Sequence, residues 1–175
     1  PWSHISTADV TQLIVDRVIE LIQVEGEAMP GALQAVEFFK ERAIPIGVAS
    51  SSHCTVIEAN IAARGLEGCF ETIASAEDEV NGKPHPAVYL TAAGQLGVHP
   101  RSCLVFEDSI FGVVAAKAAE MTCICVPDAA NAGDRRLGVA DYVLSSLNDF
   151  DEALWGTIIS YQSTVNRKRK TENTG

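Results

Sequence analysis

Short apolar runs alternate with longer segments of helical periodicity along most of this chain of 175 residues. A short apolar run bounded by turn residues is typical of a buried strand, and apolar residues three and four apart are typical of an amphipathic helix. The predicted strands cover 44–49, 70–74, 102–106, 122–126 and 142–144. The predicted helices cover 7–24, 32–42, 55–64, 86–94, 110–120 and 147–159. This alternation predicts an α/β fold, a parallel sheet with helices on both faces.

Composition and charge exclude several classes of protein. Hydrophobic residues make up 47% of the chain and charged residues 21%, which is typical of a globular protein rather than a disordered one. No apolar run approaches the roughly 18 residues of a membrane span, so we expect no membrane partner. The net charge is −10 although four basic residues lie in the last nine positions, so the rest of the chain is strongly acidic. We therefore expect no nucleic-acid partner either.

The five cysteines lie at positions 54, 69, 103, 123 and 125, without a Cys-x-x-Cys pair. The last three lie in apolar runs, where cysteine packs as a small hydrophobic residue. The N-terminal segment lacks the basic and apolar pattern of a signal peptide. These observations predict reduced thiols and a cytoplasmic location.

Polar side chains follow three of the predicted strands. The serines at 50–52 precede a predicted helix, where hydroxyls and unpaired N–H groups can bind an anion, and His53-Cys54 is interpreted as the start of that helix. Lys83 precedes the next helix, and Glu107 and Asp108 directly follow the third strand. Each feature alone also fits a helix cap or a surface charge. Because the carboxyl ends of parallel strands share one edge, together they predict a site for a phosphate and Mg²⁺.

These segments, in this order, resemble the motifs of the haloacid dehalogenase-like (HAD) hydrolase superfamily, in the branch of beta-phosphoglucomutase and hexitol phosphatase. The matching stretches are 46–52 (IGVASSS), 82–89 (GKPHPAVY) and 104–112 (LVFEDSIFG). The similarity runs from Pro1 to about Ala153 and implies a Rossmann-like HAD core. It implies that residues 1–27 are the last segment of a helical cap domain and that 28–165 form the core without its first strand. Residues 166–175 are expected to be a flexible basic tail.

The resemblance also implies roles for individual residues. Ser50, with the backbone N–H of Ser51, would bind the transferring phosphoryl group, and Lys83 would neutralise its charge. Glu107 and Asp108 would hold Mg²⁺ directly or through water. The expected catalytic residues are Ser50 and Lys83. The expected activity is a Mg²⁺-dependent phosphatase of small phosphorylated metabolites, sugar or sugar-alcohol phosphates, which acts through an aspartyl-phosphate.

One motif of the family is missing from this sequence. The family's first strand ends in Asp-x-Asp-Gly, and its first aspartate is the nucleophile; here the only Asp-x-Asp is Asp149-Phe150-Asp151, which we interpret as a helix start. The resemblance places the missing strand in the centre of the sheet, between the strands that end near Ser50 and Glu107. Without it, two unpaired strand edges would face each other. We therefore expect a longer protein whose nucleophile lies upstream of Pro1.

Three alternatives stay open at this point. A phosphoglucomutase-like enzyme would use the same aspartate chemistry, with the cap deciding whether water or a sugar hydroxyl accepts the phosphoryl group. A metal-free dehalogenase is disfavoured by the pair Glu107-Asp108. A non-catalytic module would bind phosphate through Ser50 and Lys83 and cover its open sheet by forming a homodimer. The complete phosphatase is expected to be a monomer with a small phosphorylated substrate as its partner.

Overall fold

The computed structural model describes the backbone of residues 6–172 and the side chains of residues 6–163. Within them, two initial helices are followed by strands that alternate with α-helices, except that a 3-10 helix, Arg135–Val139, connects the last two strands. The helices are α1 (Thr7–Val24), α2 (Ala32–Glu41), α3 (Cys54–Ala63), α4 (Ala87–Gln95), α5 (Ile110–Ala118) and α6 (Glu152–Glu172). The strands are β1 (Gly47–Ser50), β2 (Thr72–Ser75), β3 (Leu104–Glu107), β4 (Thr122–Cys125) and β5 (Tyr142–Val143). Every predicted strand and helix is present, in the predicted order.

The largest differences from the predicted boundaries lie at β1 and at the last helix. β1 begins at Gly47 rather than at 44, because Pro45 has no backbone N–H to donate to a ladder. The predicted helix over 147–159 is a 3-10 turn, Leu147–Asp149, followed by α6. The predicted flexible tail, 166–175, is helical as far as Glu172; residues 173–175 lie outside the described residues, and its flexibility stays a prediction.

The segment Asp149-Phe150-Asp151 begins the C-terminal helical region, as predicted. Asp149 and Ser146 form a capping box. The backbone N–H of Ser146 donates to the Asp149 carboxylate at 3.1 Å. Asp151 accepts the backbone N–H of Leu154 at 2.8 Å in the first turn of α6. Both carboxylates thus satisfy backbone donors at helix starts, which is the ordinary structural use of aspartate.

The strands form two parallel sheets rather than one. β1 pairs with β2, and β4 pairs with β3 on one side and β5 on the other. Within residues 6–172, no strand pairs with the second edge of β1 or of β3. The two open edges predicted from the missing motif are therefore present.

An apolar cavity of about 540 Å³ lies between β1 and β3. Its walls include Ile46 and Ala49 from the β1 side and Val105 and Phe106 from β3. Phe39 of α2 also lines it. The space between the two sheets is therefore lined by side chains that would pack against a further strand. We call this space the inter-sheet gap.

Helices cover both faces of the three-stranded sheet. Successive side chains of β4 point to opposite faces and therefore contribute to two different cores. Cys123 and Cys125 point into a core of small residues formed with α4 and α5. Ile124 points to the other face, where it meets an aromatic cluster. The cluster contains Phe38, Phe39, Phe106, Phe150 and Trp155 in mostly edge-to-face contacts. The α/β architecture with helices on both faces is confirmed.

The five cysteines are free thiols. Cys123 and Cys125 are fully buried, and Cys103 is half-buried. Burial raises the pKa of Cys123 to about 12 and that of Cys125 to about 11, so both thiols are protonated at neutral pH. The structure thus agrees with their predicted role as small hydrophobic residues.

Helix α1 lies against α3 and begins with a capping box in which Ser6 and Asp9 bond reciprocally. Val15 is buried, whereas Leu13 and Ile14 are 63% and 59% exposed. A broad apolar part of α1 is therefore uncovered by the described residues. None of the helices in the described part of the chain has both the length and the hydropathy that a membrane crossing needs.

Candidate active site

Lys83 joins the ends of the two sheets. Its Nζ donates to the carbonyl oxygen of Ala49 in β1 at 3.2 Å and to the hydroxyl of Tyr89 at 3.0 Å. It also forms an ion pair with Glu107 at the end of β3. The side chains of Lys83 and Glu107 are only 11% and 6% exposed, so this is a buried pair. The structure thus brings two of the predicted site residues into direct contact.

Glu107 is held by donors on both carboxylate oxygens. Oε1 accepts from Lys83 and from the Tyr89 hydroxyl. Oε2 accepts from the backbone N–H groups of Asp108 and Ser109, at 3.1 and 3.2 Å, and from the Ser109 hydroxyl at 3.1 Å. Burial alone raises the pKa of Glu107, but the charge and hydrogen bond of Lys83, with these other donors, outweigh it. The pKa of Glu107 therefore lies below its usual value.

Tyr89 is a site residue to which the sequence analysis assigned no role. It lies in the first turn of α4, and its hydroxyl accepts from Lys83 while donating to Glu107. Burial and the Glu107 charge raise the pKa of Tyr89 far above its ordinary value, so the hydroxyl keeps its proton. The available signal was its spacing, six residues after Lys83, which brings the ring back toward the lysine across the turn that precedes α4.

The start of α5 places Glu107 against the helix backbone. Ser109 caps α5 by accepting the N–H of Gly112 at 3.1 Å. A Cβ on Gly112 would lie 1.9 Å from Cδ of Glu107, so only glycine allows this approach. Glu107 is the last residue of β3 rather than the first residue after it, and the Ser109 cap and Gly112 leave room for its carboxylate.

Asp108 differs from Glu107 in its electrostatic surroundings. Partial burial and the neighbouring Glu107 carboxylate raise the pKa of Asp108, and Asp128 adds to this effect. Among the residues whose side chains are described, none forms an ion pair with Asp108. A bound divalent cation would relieve this excess of negative charge, and carboxylate oxygens are the ligands that Mg²⁺ prefers. The residues present therefore fit a Mg²⁺ ion, with Asp108 as the carboxylate least occupied by protein donors.

The serine loop, residues 50–52, connects β1 to α3. Ser50 Oγ accepts the backbone N–H of Ser52 at 3.1 Å, and the Ser52 carbonyl accepts the buried Ser75 hydroxyl at 2.7 Å. Ser51 is exposed. The loop follows Ala49, the residue whose carbonyl binds Lys83. The predicted phosphate-binding residues thus lie at the same end of the sheets as Lys83, Glu107 and Asp108.

Comparison with known proteins supplies independent information on this arrangement. A family model described as haloacid dehalogenase-like hydrolase matches residues 3–120. The chain belongs to this family. It is 38% identical over 149 residues to hexitol phosphatase B of Escherichia coli K12. This match covers 85% of this chain and 67% of that protein. The predicted family and the predicted enzyme class, a HAD-like phosphoric monoester hydrolase, are thereby confirmed.

Solved structures of HAD proteins have the same fold. CbbY from Rhodobacter sphaeroides, in complex with phosphate, superposes with a TM-score of 0.77 at 29% identity, over 84% of this chain and 67% of that one. Beta-phosphoglucomutase from Clostridium difficile gives 0.71 at 26% identity, over 91% and 66%. The chain therefore spans about two thirds of the length of these HAD relatives. The Rossmann-like HAD fold is confirmed.

Proposed function

We propose that this HAD protein is a Mg²⁺-dependent phosphatase of small phosphorylated metabolites, sugar or sugar-alcohol phosphates, which acts through an aspartyl-phosphate. The observation that carries the proposal is the position of Lys83, which contacts both Ala49 beside the serine loop and Glu107 beside Asp108. The side chains to which we assign phosphate binding, charge neutralisation and metal binding thus lie at one end of the sheets. These are the parts that phosphoryl transfer requires besides a nucleophile.

The inter-sheet gap supports a position for that nucleophile on a strand between β1 and β3. Along a strand, successive carbonyls point to opposite edges. Ile46 offers its carbonyl to Glu71 on the β2 side at 2.8 Å, so the Ala49 carbonyl points toward the gap. We propose that a strand from upstream of Pro1 fills the gap between β1 and β3. An aspartate at its carboxyl end would then lie among Ser50, Lys83 and Asp108.

Such a strand would also change what Lys83 can bind. A lysine ammonium has three N–H donors, and here they are all used by Ala49, Tyr89 and Glu107. An incoming strand would take the Ala49 carbonyl into its ladder and release one donor. That N–H would then donate a hydrogen bond to the nucleophile or to the phosphoryl group, while Tyr89 and Glu107 continue to bind the ammonium group.

The predicted phosphate and metal ligands have different tasks in this proposal. Ser50 and the N–H of Ser51 bind phosphoryl oxygens at the start of α3. Asp108 would hold Mg²⁺, and Glu107, whose oxygens already accept five donors, would contribute through water or through its charge. Mg²⁺, when bound, offsets negative charge on the phosphoryl group and the carboxylates.

The domain boundaries are part of the same proposal. Residues 1–27 would be the end of a cap, and the exposed apolar side chains of Leu13 and Ile14 on α1 would contact the rest of it. Residues 28–165 would be the core. A monomeric state and a cytoplasmic location stay predictions.

A phosphosugar mutase is the second candidate, because a beta-phosphoglucomutase is among the similar structures. Its chemistry at the aspartate would be the same, and the cap would direct a sugar hydroxyl instead of water to the phosphoryl group. Conversion of glucose 1-phosphate into glucose 6-phosphate without net release of phosphate would favour this candidate over the phosphatase.

The proposal is tested on the protein extended upstream to include the missing strand. We expect release of phosphate from hexose and hexitol phosphates that requires Mg²⁺ and stops when EDTA is added. Asp108→Ala should lower the rate at least a hundredfold, about 3 kcal/mol in transition-state free energy. Glu58→Ala, an exposed carboxylate change on α3, should keep the wild-type rate.

Two results would contradict the phosphatase proposal. Wild-type turnover by Asp108→Ala would remove the predicted metal ligand from the mechanism. Phosphate binding by the extended protein without turnover of any sugar phosphate would favour the non-catalytic module.

A further inference from the structure

Four side chains with metal-binding donor atoms lie beside the serine loop, outside the site described above. His53 caps α3, and Cys54 is its first residue. Glu77 and Asp78 belong to the 3-10 turn Ala76–Asp78 after β2. We call these four side chains the four-donor cluster.

The donor atoms of three of these four side chains are close enough to share one ion, and His53 contacts one of the three. Atoms of Cys54, Glu77 and Asp78 all lie within 4.8 Å of one another. The Nδ1 atom of His53 lies 2.5 Å from Oε2 of Glu77, so the imidazole adjoins the same carboxylate. Two ligands of a tetrahedral Zn²⁺ lie roughly 3.3–3.8 Å apart, given Zn–S near 2.3 Å and Zn–N or Zn–O near 2.1 Å. Small side-chain rotations would therefore bring the donors to bonding distance.

The β1–β2 ladder and one serine hydroxyl hold the His53–Cys54 part of the cluster beside the Glu77–Asp78 part. Ser50 of β1 lies opposite Ser75 of β2 in the parallel ladder. The Ser75 hydroxyl, in a residue only 2% exposed, donates to the Ser52 carbonyl at 2.7 Å and accepts the Glu77 N–H at 3.1 Å. One buried serine thus connects the loop that carries His53 and Cys54 to the turn that carries Glu77 and Asp78.

The chemistry of the donors selects the kind of ion. Mg²⁺ takes oxygen ligands, whereas a set of one imidazole nitrogen, one sulfur and carboxylate oxygens suits Zn²⁺. His53 is about half exposed and the Glu77 side chain is 30% exposed, so an ion can enter and both side chains can turn. The cluster therefore differs in both place and ligand type from the predicted Mg²⁺ site at Asp108.

We propose that the four-donor cluster binds Zn²⁺ at a site separate from the predicted Mg²⁺ site. On binding, sulfur exchanges its proton for the metal, one proton is released to solvent, and no electron is transferred. His53 exchanges its contact with Glu77 for a bond to the ion. The site adjoins the serine loop and does not require the nucleophile.

The test uses the protein extended upstream to include the missing strand, in excess Mg²⁺. Calorimetric titration with ZnCl₂ should show one bound ion per chain with proton release. Titration with Co²⁺ should give a thiolate charge-transfer band and the strong visible absorption of tetrahedral Co²⁺. Cys54→Ser and Glu77→Gln should each weaken Zn²⁺ binding at least about tenfold. Cys69→Ser, a change at another half-buried thiol, should bind like the wild type.

Three outcomes would overturn the proposal. They are wild-type Zn²⁺ affinity in Cys54→Ser, a Co²⁺ complex without a thiolate band, and loss of Zn²⁺ binding in Asp108→Asn. The last result would place the ion at the predicted Mg²⁺ site. Thermal unfolding of each variant checks its fold, and Glu77→Gln, which leaves the thiol in place, provides the same readout if Cys54→Ser does not fold.

Discussion

Strands β1 and β4 have the same length but very different surroundings. β4 lies between β3 and β5, and its last three residues are buried by cores on both faces. Among residues 6–172, β1 pairs only with β2; none of the residues of β1 is buried, and its other edge meets the inter-sheet gap. The difference shows that neighbours, more than the apolar content of a strand, determine its burial. Lys83 connects these two halves at the point where no strand does.

The largest expected effect comes from removing that connection. Lys83→Met would leave Glu107 buried and without its cation, so we expect a loss of about 3–5 kcal/mol in the free energy of unfolding. Lys117→Met is the matched control, because the Lys117–Asp141 pair lies in the three-stranded half with side chains 29% and 31% exposed. Its loss should be at most about 1 kcal/mol. Urea unfolding measures both; equal losses would contradict the special position of Lys83.

The second prediction compares one isoleucine in each sheet. Ile124→Ala in β4 removes a fully buried side chain and should cost about 2–5 kcal/mol. Ile73→Ala in β2 removes a half-buried side chain, where solvent can reach the space left behind, and should cost less than half as much. Chemical denaturation of both variants is the measurement. A larger loss for Ile73→Ala would mean that the two-stranded half is the more tightly packed one.

The third prediction concerns two glycines. Gly112→Ala would push its Cβ into Glu107 and separate that carboxylate from Lys83, at a cost of about 1–3 kcal/mol. Gly156→Ala in α6 has no neighbour within 4 Å of the added Cβ and should stabilise the protein by about 0.5–1 kcal/mol. Thermal unfolding should therefore shift in opposite directions. A neutral Gly112→Ala would show that Glu107 can move without loss.

The smallest expected effect concerns Asp108 and pH. Its folded-state pKa is raised, so its protonated form favours folding and this contribution is lost as pH rises through the folded pKa. Asp108→Asn should therefore raise the free energy of unfolding at pH 7 without Mg²⁺, by less than about 1 kcal/mol. The gain should shrink as pH falls through the raised folded-state pKa of Asp108, below which the carboxyl is itself protonated. Glu107, whose pKa is lowered, should behave oppositely, since its contribution is lost in acid. A destabilised Asp108→Asn at pH 7 would contradict this electrostatic account.

The sequence by itself determined the order of elements and the family motifs. Apolar periodicity and caps involve residues only a few positions apart, so the bounds of α1 and the capping roles of Ser109, Asp149 and Asp151 follow from local rules. The position of Glu107 at the end of β3 is equally local, because it is part of the strand that it ends. The missing motif was also visible in the sequence, and it predicted the two open edges.

Only the tertiary structure decided which distant groups meet. The Ala49–Lys83–Glu107 connection, the part of Tyr89 in it and the four-donor cluster all join residues from different strands, helices and loops. Their contacts depend on the register of the sheet and on the angle at which each helix leaves its strand. The periodicity of apolar residues carries no information about either. The sequence therefore identifies Lys83 as a candidate site residue, but it does not show that all three N–H donors of its ammonium group are hydrogen-bonded to protein acceptors. That arrangement exists because a buried ammonium must satisfy every donor it carries.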